Sequence, residues 1–164
     1  MKNFDWTQFS RKIAVQTEPQ TLYNAWAIPS EIEKWFLSDA QYYDASRNQK
    51  SKATAIEAGD TYEWQWHLWN VTEKGTITKA NGSDHIQFTF AGNCHVDVSI
   101  APYDKGSIVT LSQTNIPTDE KSKQNIRLGC DRGWSFYLVN LKSVYEGGLD
   151  LRNKDADLQP MLNN

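Results

Sequence analysis

The sequence predicts an α+β fold: a curved antiparallel sheet of about six to seven strands around a long C-terminal helix, with two short helices after the first strand. Three observations carry this expectation. Between residues 61 and 115, short runs alternate apolar and polar residues and are separated by turn-forming pairs, the pattern of an antiparallel meander. Toward the C-terminus, Ile126, Cys130, Trp134, Tyr137, Leu141, Val144 and Tyr145 recur at helical spacing and mark one face of a long helix. Near the N-terminus, Pro19 and Pro29 each stand just ahead of a short run with helical spacing. A sheet with one apolar face needs a cover, and the C-terminal helix is the element large enough to supply it.

The elements follow in order. In residues 10–16, Arg11, Ile13 and Val15 alternate with Lys12, Ala14 and Gln16, as in a half-buried strand. Pro19 suits the first turn of a helix because its missing N–H has no helical partner there. Leu22, Tyr23 and Trp26 then share a face. Pro29 ends that helix, and Ser30-Glu31-Ile32-Glu33 reads as a capping box that opens a second one carrying Ile32, Trp35 and Phe36. Residues 40–43 suit a short strand, and 44–60 read as a polar loop. Tyr62, Trp64, Trp66 and Leu68 then alternate with Glu63, Gln65, His67 and Trp69. Glu73-Lys74-Gly75 reads as a turn or bulge into a strand at 76–79. Asn81-Gly82, Gly92-Asn93 and Asp104-Lys105-Gly106 are further turns, flanking strands that carry Ile86, Phe88 and Phe90, then Val96, Val98 and Ile100. Asp119-Glu120 suits a helix N-terminus. The helix is expected to kink near Gly129 and Gly133 and to stop at Gly147-Gly148. The chain therefore reads as one domain, residues 1–152, followed by a polar tail, 153–164.

Composition narrows the function. Hydrophobic residues at 39% and charged residues at 23% exclude a disordered chain. A net charge of −3 gives no basic footprint for nucleic acid. No run approaches the ~20 apolar residues of a membrane helix, so no membrane insertion is expected. The absence of an apolar leader predicts a cytoplasmic protein. Cys94 and Cys130 are compatible with free thiols in a reducing compartment, with a single disulfide as the alternative.

The chemistry-bearing residues are sparse. His67, His85 and His95 lack metal-ligand spacing, and no nucleophile elbow, phosphate-cradling loop or dinucleotide fingerprint is present. No cofactor is implied and no catalytic motif is found, so the chain is expected not to be an enzyme. Glu57, Asp60 and Glu63 cluster at a strand entry, where a solvated strand end is the plain reading and a general base at a cavity mouth the other.

The aromatic residues say more: seven Trp, seven Tyr and six Phe must fill a core or line a cavity. Trp35, Phe36, Trp64, Trp66, Phe88, Phe90, Trp134 and Tyr137 are all placed to face the space between sheet and helix. Gly129, Cys130 and Gly133 keep the facing helix small. A helical Gly costs about 1 kcal/mol relative to Ala, so either close packing or room for a ligand must offset it. Trp35, Phe36, Trp64, Trp66, Phe88, Phe90, Cys130, Gly133, Trp134 and Tyr137 are accordingly the candidate ligand-binding residues. Aromatic walls with a few polar tips suit a small hydrophobic ligand, aromatic or lipid-like.

The order of elements, with Pro19, Trp26, Pro29-Ser30 and Trp35, resembles the START-like (SRPBCC) superfamily and its helix-grip fold. Within it the closing pattern Gly133-Trp134, Leu138, Leu141-Lys142, Glu146-Gly147 and Asp150-Leu151-Arg152 resembles the activator-of-heat-shock-protein-ATPase-like family. The similarity spans residues 10–152. It implies a hydrophobic cavity between sheet and long helix, no shared catalytic set, and a chaperone as a possible partner. Its eukaryotic namesakes carry an additional N-terminal domain that engages the chaperone, for which a chain of this length is expected to have no room. A carrier of a small hydrophobic molecule is thus the leading expectation. A chaperone-interacting module, or a cyclase or hydrolase using the same cavity, are the alternatives.

Overall fold

Seven strands form one sheet in the computed structural model, which describes residues 4–164. Residues 1–3 of the expected N-terminal segment lie outside them. Strand β1 (Phe9–Val15) leads into helices α1 (Pro19–Ala27) and α2 (Pro29–Ile32). Then come β2 (Asp39–Tyr43), β3 (Thr61–Gln65), β4 (Thr72–Ala80), β5 (His85–Phe90), β6 (Cys94–Tyr103) and β7 (Gly106–Thr114). Neighbouring strands are antiparallel, in the order β1-β7-β6-β5-β4-β3-β2. The first strand thus closes on the last, Phe9 facing Gln113 and Val15 facing Ser107. Helix α3 (Glu120–Ser122), a wider π-helical turn (Lys123–Leu128) and α4 (Gly129–Tyr145) complete the fold. This is the helix-grip arrangement: a curved antiparallel sheet holding a long C-terminal helix.

The inner face follows the period of two. Tyr62 and Trp64, Ile86 and Phe88, Val96 and Val98, and Val109 and Leu111 are all buried. Helix α4 sets Trp134, Leu138 and Leu141 against them, and Leu22, Trp26 and Ile32 of α1 and α2 fill the rest. The inner face of β1 carries Arg11 up to Asp131 of α4, 2.6 Å away at the sheet margin.

Four local expectations are corrected. Pro29 is itself the first residue of α2, so the cap falls on Ile28 and Ser30 caps nothing. The Ser30 N–H instead donates to the Lys52 carbonyl (2.9 Å), and Glu33 Oε1 accepts from the Ala40 N–H (2.8 Å). The fixed φ of proline at the first helical position moved the boundary back by one residue. Next, Glu73-Lys74-Gly75 is no turn: β4 runs straight through it, and the irregularity lies between Ile77 and Lys79. Gly75 is required there by close approach, since a Cβ would lie 2.5 Å from the Tyr62 hydroxyl and 2.6 Å from the Thr89 carbonyl. Third, β3 ends at Gln65, so residues 66–71 leave the strand pattern, with Leu68 at φ 64°. Last, the irregularity of the C-terminal helix is the π-helical turn ahead of Gly129; α4 continues as a regular helix through Gly133. Gly147 stops it at φ 79°, as expected of a C-cap glycine.

Candidate functional site

At the end of the sheet where β3 and β5 stop, α4 does not cover the inner face completely. A cleft of about 700 Å³ remains there, bounded by residues 66–71, β4, α4 and the returning C-terminal tail. Phe36, Trp66, Phe90, Cys130, Gly133, Trp134 and Tyr137 of the expected site line it. Trp35, Trp64 and Phe88 do not reach it and are fully buried core residues. Trp64 and Phe88 each sit one pleat behind Trp66 and Phe90, under the covered part of the sheet. Trp35 and Phe36 lie in the turn after α2 rather than in the expected helix, and Trp35 stacks on the buried side of Phe36 at 5.3 Å, edge-on to Trp26 with ring centres 4.6 Å apart and its N–H on the Ala25 carbonyl (2.9 Å). Trp64 stacks on Tyr62 at 3.9 Å and donates to the Tyr42 hydroxyl (3.0 Å).

The floor is an aromatic cluster. Phe36 meets Trp134 at 4.9 Å, Tyr137 edge-on at 4.8 Å and Trp66 edge-on at 5.5 Å. Phe90 meets Trp134 at 5.2 Å. Such offset and edge contacts hold rings in fixed orientations. Trp134 is further fixed by its N–H, which donates to Gln113 Oε1 at 3.0 Å. A Cβ on Gly133 would meet nothing within 4 Å, so this glycine borders open space rather than the sheet.

Phe36 owes its place to a polar clamp. The Arg152 guanidinium, almost wholly buried, donates to the carbonyls of Glu33, Lys34 and Leu37, which flank Phe36. Asp150 holds Arg152 at 2.7 Å, and Asn140 of α4 donates both to Asp150 (3.0 Å) and to the Trp35 carbonyl (2.6 Å). These bonds satisfy carbonyls after the short helix α2 and tie it to α4. They are the structural content of the Asp150-Leu151-Arg152 motif.

Polar tips in the cleft are few. Burial pushes the Cys130 thiol up to about 11 and the Tyr137 phenol up to about 12. Burial also raises the Glu73 carboxyl, against the hydrogen bond from the Ala91 N–H. Both cysteines are free. His85 lies elsewhere, on the outer sheet face beside Asp97 at 3.0 Å. Of the Glu57–Asp60–Glu63 group, Glu57 and Glu63 are solvated as the plain reading has it, Glu63 paired with Lys74, whereas Asp60 is buried against Lys50 at 2.7 Å and pins the 44–60 loop.

Several cleft residues escaped the sequence reading. Period-two alternation placed Trp69 on an outward strand face, yet the chain leaves the strand and brings Leu68, Trp69 and Val71 to the mouth. Glu73 falls in the segment whose pattern suggests a turn or bulge. Pro160, Met161 and Leu162 come from the expected tail, which folds back so that Asn163 Nδ2 donates to the Leu151 carbonyl (2.6 Å). The available signal is the presence of Leu158, Met161 and Leu162 in a tail otherwise polar.

The same fold recurs in solved structures of low sequence identity. The chain is 18% identical to protein SSP2350 from Staphylococcus saprophyticus, with a TM-score of 0.69 over 88% of this chain and 96% of that one. It is 17% identical to Aha1 from Colwellia psychrerythraea, solved as a dimer in solution, with a TM-score of 0.65 over 86% and 97%. It is 18% identical to ChR145 from Cytophaga hutchinsonii, with a TM-score of 0.61 over 85% and 93%. No curated protein matches. The sequence model described as Activator of Hsp90 ATPase homolog 1-like protein matches residues 16–146, the span from the end of β1 to the C-cap of α4, and the chain belongs to that family.

Proposed function

We propose that the protein binds a small apolar molecule, aromatic or lipid-like, in the cleft between the sheet and α4. The observation that carries this reading is the unfilled volume of about 700 Å³ walled by Phe36, Trp66, Phe90, Trp134 and Tyr137. A side chain at Gly133 would have entered that space, and none is there. Each 100 Å² of apolar surface removed from water contributes about 2.5 kcal/mol gross, before the cost of association. Native mass spectrometry of the purified protein tests the reading by looking for a co-purified small molecule. Titration with apolar dyes and fatty acids, read by tryptophan emission, is the complement. At least one saturable binder is expected; silence in both measurements overturns the reading.

A second reading, a chaperone-interacting module, is favoured directly by the family to which the chain belongs. The family name speaks for this reading more than for any ligand, as the cleft speaks for the ligand. Pull-down of a purified heat-shock ATPase, with its turnover measured, tests it. Binding that persists when the cleft is blocked supports the chaperone role.

A further inference from the structure

We propose that the cleft selects an apolar molecule carrying a positive charge, an amine, and that Glu73 is the residue that recognises it. The proposal rests on the reading of the cleft as an apolar binding site. Glu73 faces Trp64 across the β3–β4 ladder and shares the inner face of β4 with Gly75 and Ile77. It is an acid on the core side of a sheet, and it lines the cleft. Its Oε1 accepts the Ala91 N–H at 2.7 Å. Among the described residues it makes no other side-chain hydrogen bond and no ion pair.

The surrounding groups cannot compensate the charge. Tyr62 from β3, Cys94 from β6 and Cys130 from α4 feel it, and burial keeps all three protonated. Arg132 also lines the cleft, on the exposed side of α4, but makes no hydrogen bond or ion pair with Glu73. A half-buried carboxylate without a counter-ion is a costly feature of a sheet interior.

The cost decides between ligand classes. A wholly apolar ligand that fills the cleft strips Glu73 of its remaining water and offers nothing in return. A carboxylate ligand adds repulsion. An ammonium donates a charge-assisted hydrogen bond to the free oxygen.

Three probes of one size separate the classes: naphthylmethylamine, naphthylmethanol and naphthoate, measured by equilibrium dialysis near neutral pH. The amine is expected to bind at least about tenfold more tightly than the alcohol, and the naphthoate most weakly. In Glu73→Gln, which keeps an oxygen for the Ala91 N–H, the alcohol should bind as before and the amine should fall to its level. An amine that binds no better than the alcohol in the unaltered protein overturns the proposal and leaves the apolar cleft standing. So does a preference that survives Glu73→Gln. If neither amine nor alcohol binds, the reading of the cleft fails and the proposal with it. An amine-to-alcohol ratio near one in the unaltered protein overturns the proposal even if the variant does not fold.

Discussion

Gly133 and Gly75 show two opposite uses of a missing side chain. At Gly75 the hydroxyl of Tyr62 occupies the place of a Cβ; at Gly133 nothing does. Gly133→Leu therefore meets no backbone and projects into the cleft. Leucine has the better helix propensity, so stability should hold or rise by up to about 1 kcal/mol. Binding of an apolar probe should fall at least about tenfold. Thermal melting and dialysis on the same variant check both halves, and a loss of stability beyond about 1 kcal/mol would place Gly133 in a closed interface. The inward direction of Trp64, Trp66, Phe88 and Phe90 was legible because strands alternate. Which of them end in core and which at open space was not, since that depends on how far α4 extends over each strand.

Elements were legible in their kinds and less so in their ends. The capping box at Ser30 failed because a proline one position earlier already occupied the first helical turn. The course of the tail is hidden for a different reason: its anchors are hydrogen bonds, which leave no periodic trace. Asn153 donates its backbone N–H to the Asn163 carbonyl (2.7 Å) and its amide to the Leu158 carbonyl (2.8 Å) and to Asn164 Oδ1 (2.8 Å), closing a compact loop. Leu158, Met161 and Leu162 remain 51%, 45% and 84% exposed, so little apolar burial is at stake. Removing residues 154–164 should cost less than about 2 kcal/mol, below the ~3 kcal/mol of a core leucine. It should also weaken probe binding several-fold, because Pro160, Met161 and Leu162 form one side of the cleft. Calorimetry and dialysis on the truncated chain separate the two effects; a loss near that of a core leucine would make the tail part of the fold proper.

The molecule as a whole is held by contacts between its two ends: β1 on β7, and Arg152 on the segment after α2. Arg152 makes the second of these sensitive to acid through Asp150. Burial alone would raise the Asp150 carboxyl, but hydrogen bonds from Arg152, Lys154 and Asn140 outweigh it and hold the group well below the usual carboxylate range. A depressed folded pKa stabilises above the unfolded value, roughly 3.9, and the gain is lost as pH falls below it. Stability should therefore drop on acidification below about pH 4, and Asp150→Asn should flatten that part of the profile. Denaturant melts at stepped pH measure this; an unchanged acid limb in the variant would remove Asp150 from the account. Fold class, strand-and-helix order and the inward-facing rings are legible from residue pattern alone, because periodicity and turn chemistry are local and survive without knowledge of neighbours. The cleft itself, the turn of Glu73 toward it with no ion pair among the described residues, and the tail along one side emerge only in three dimensions. Those features depend on where distant elements stop covering one another, a quantity that no local pattern encodes.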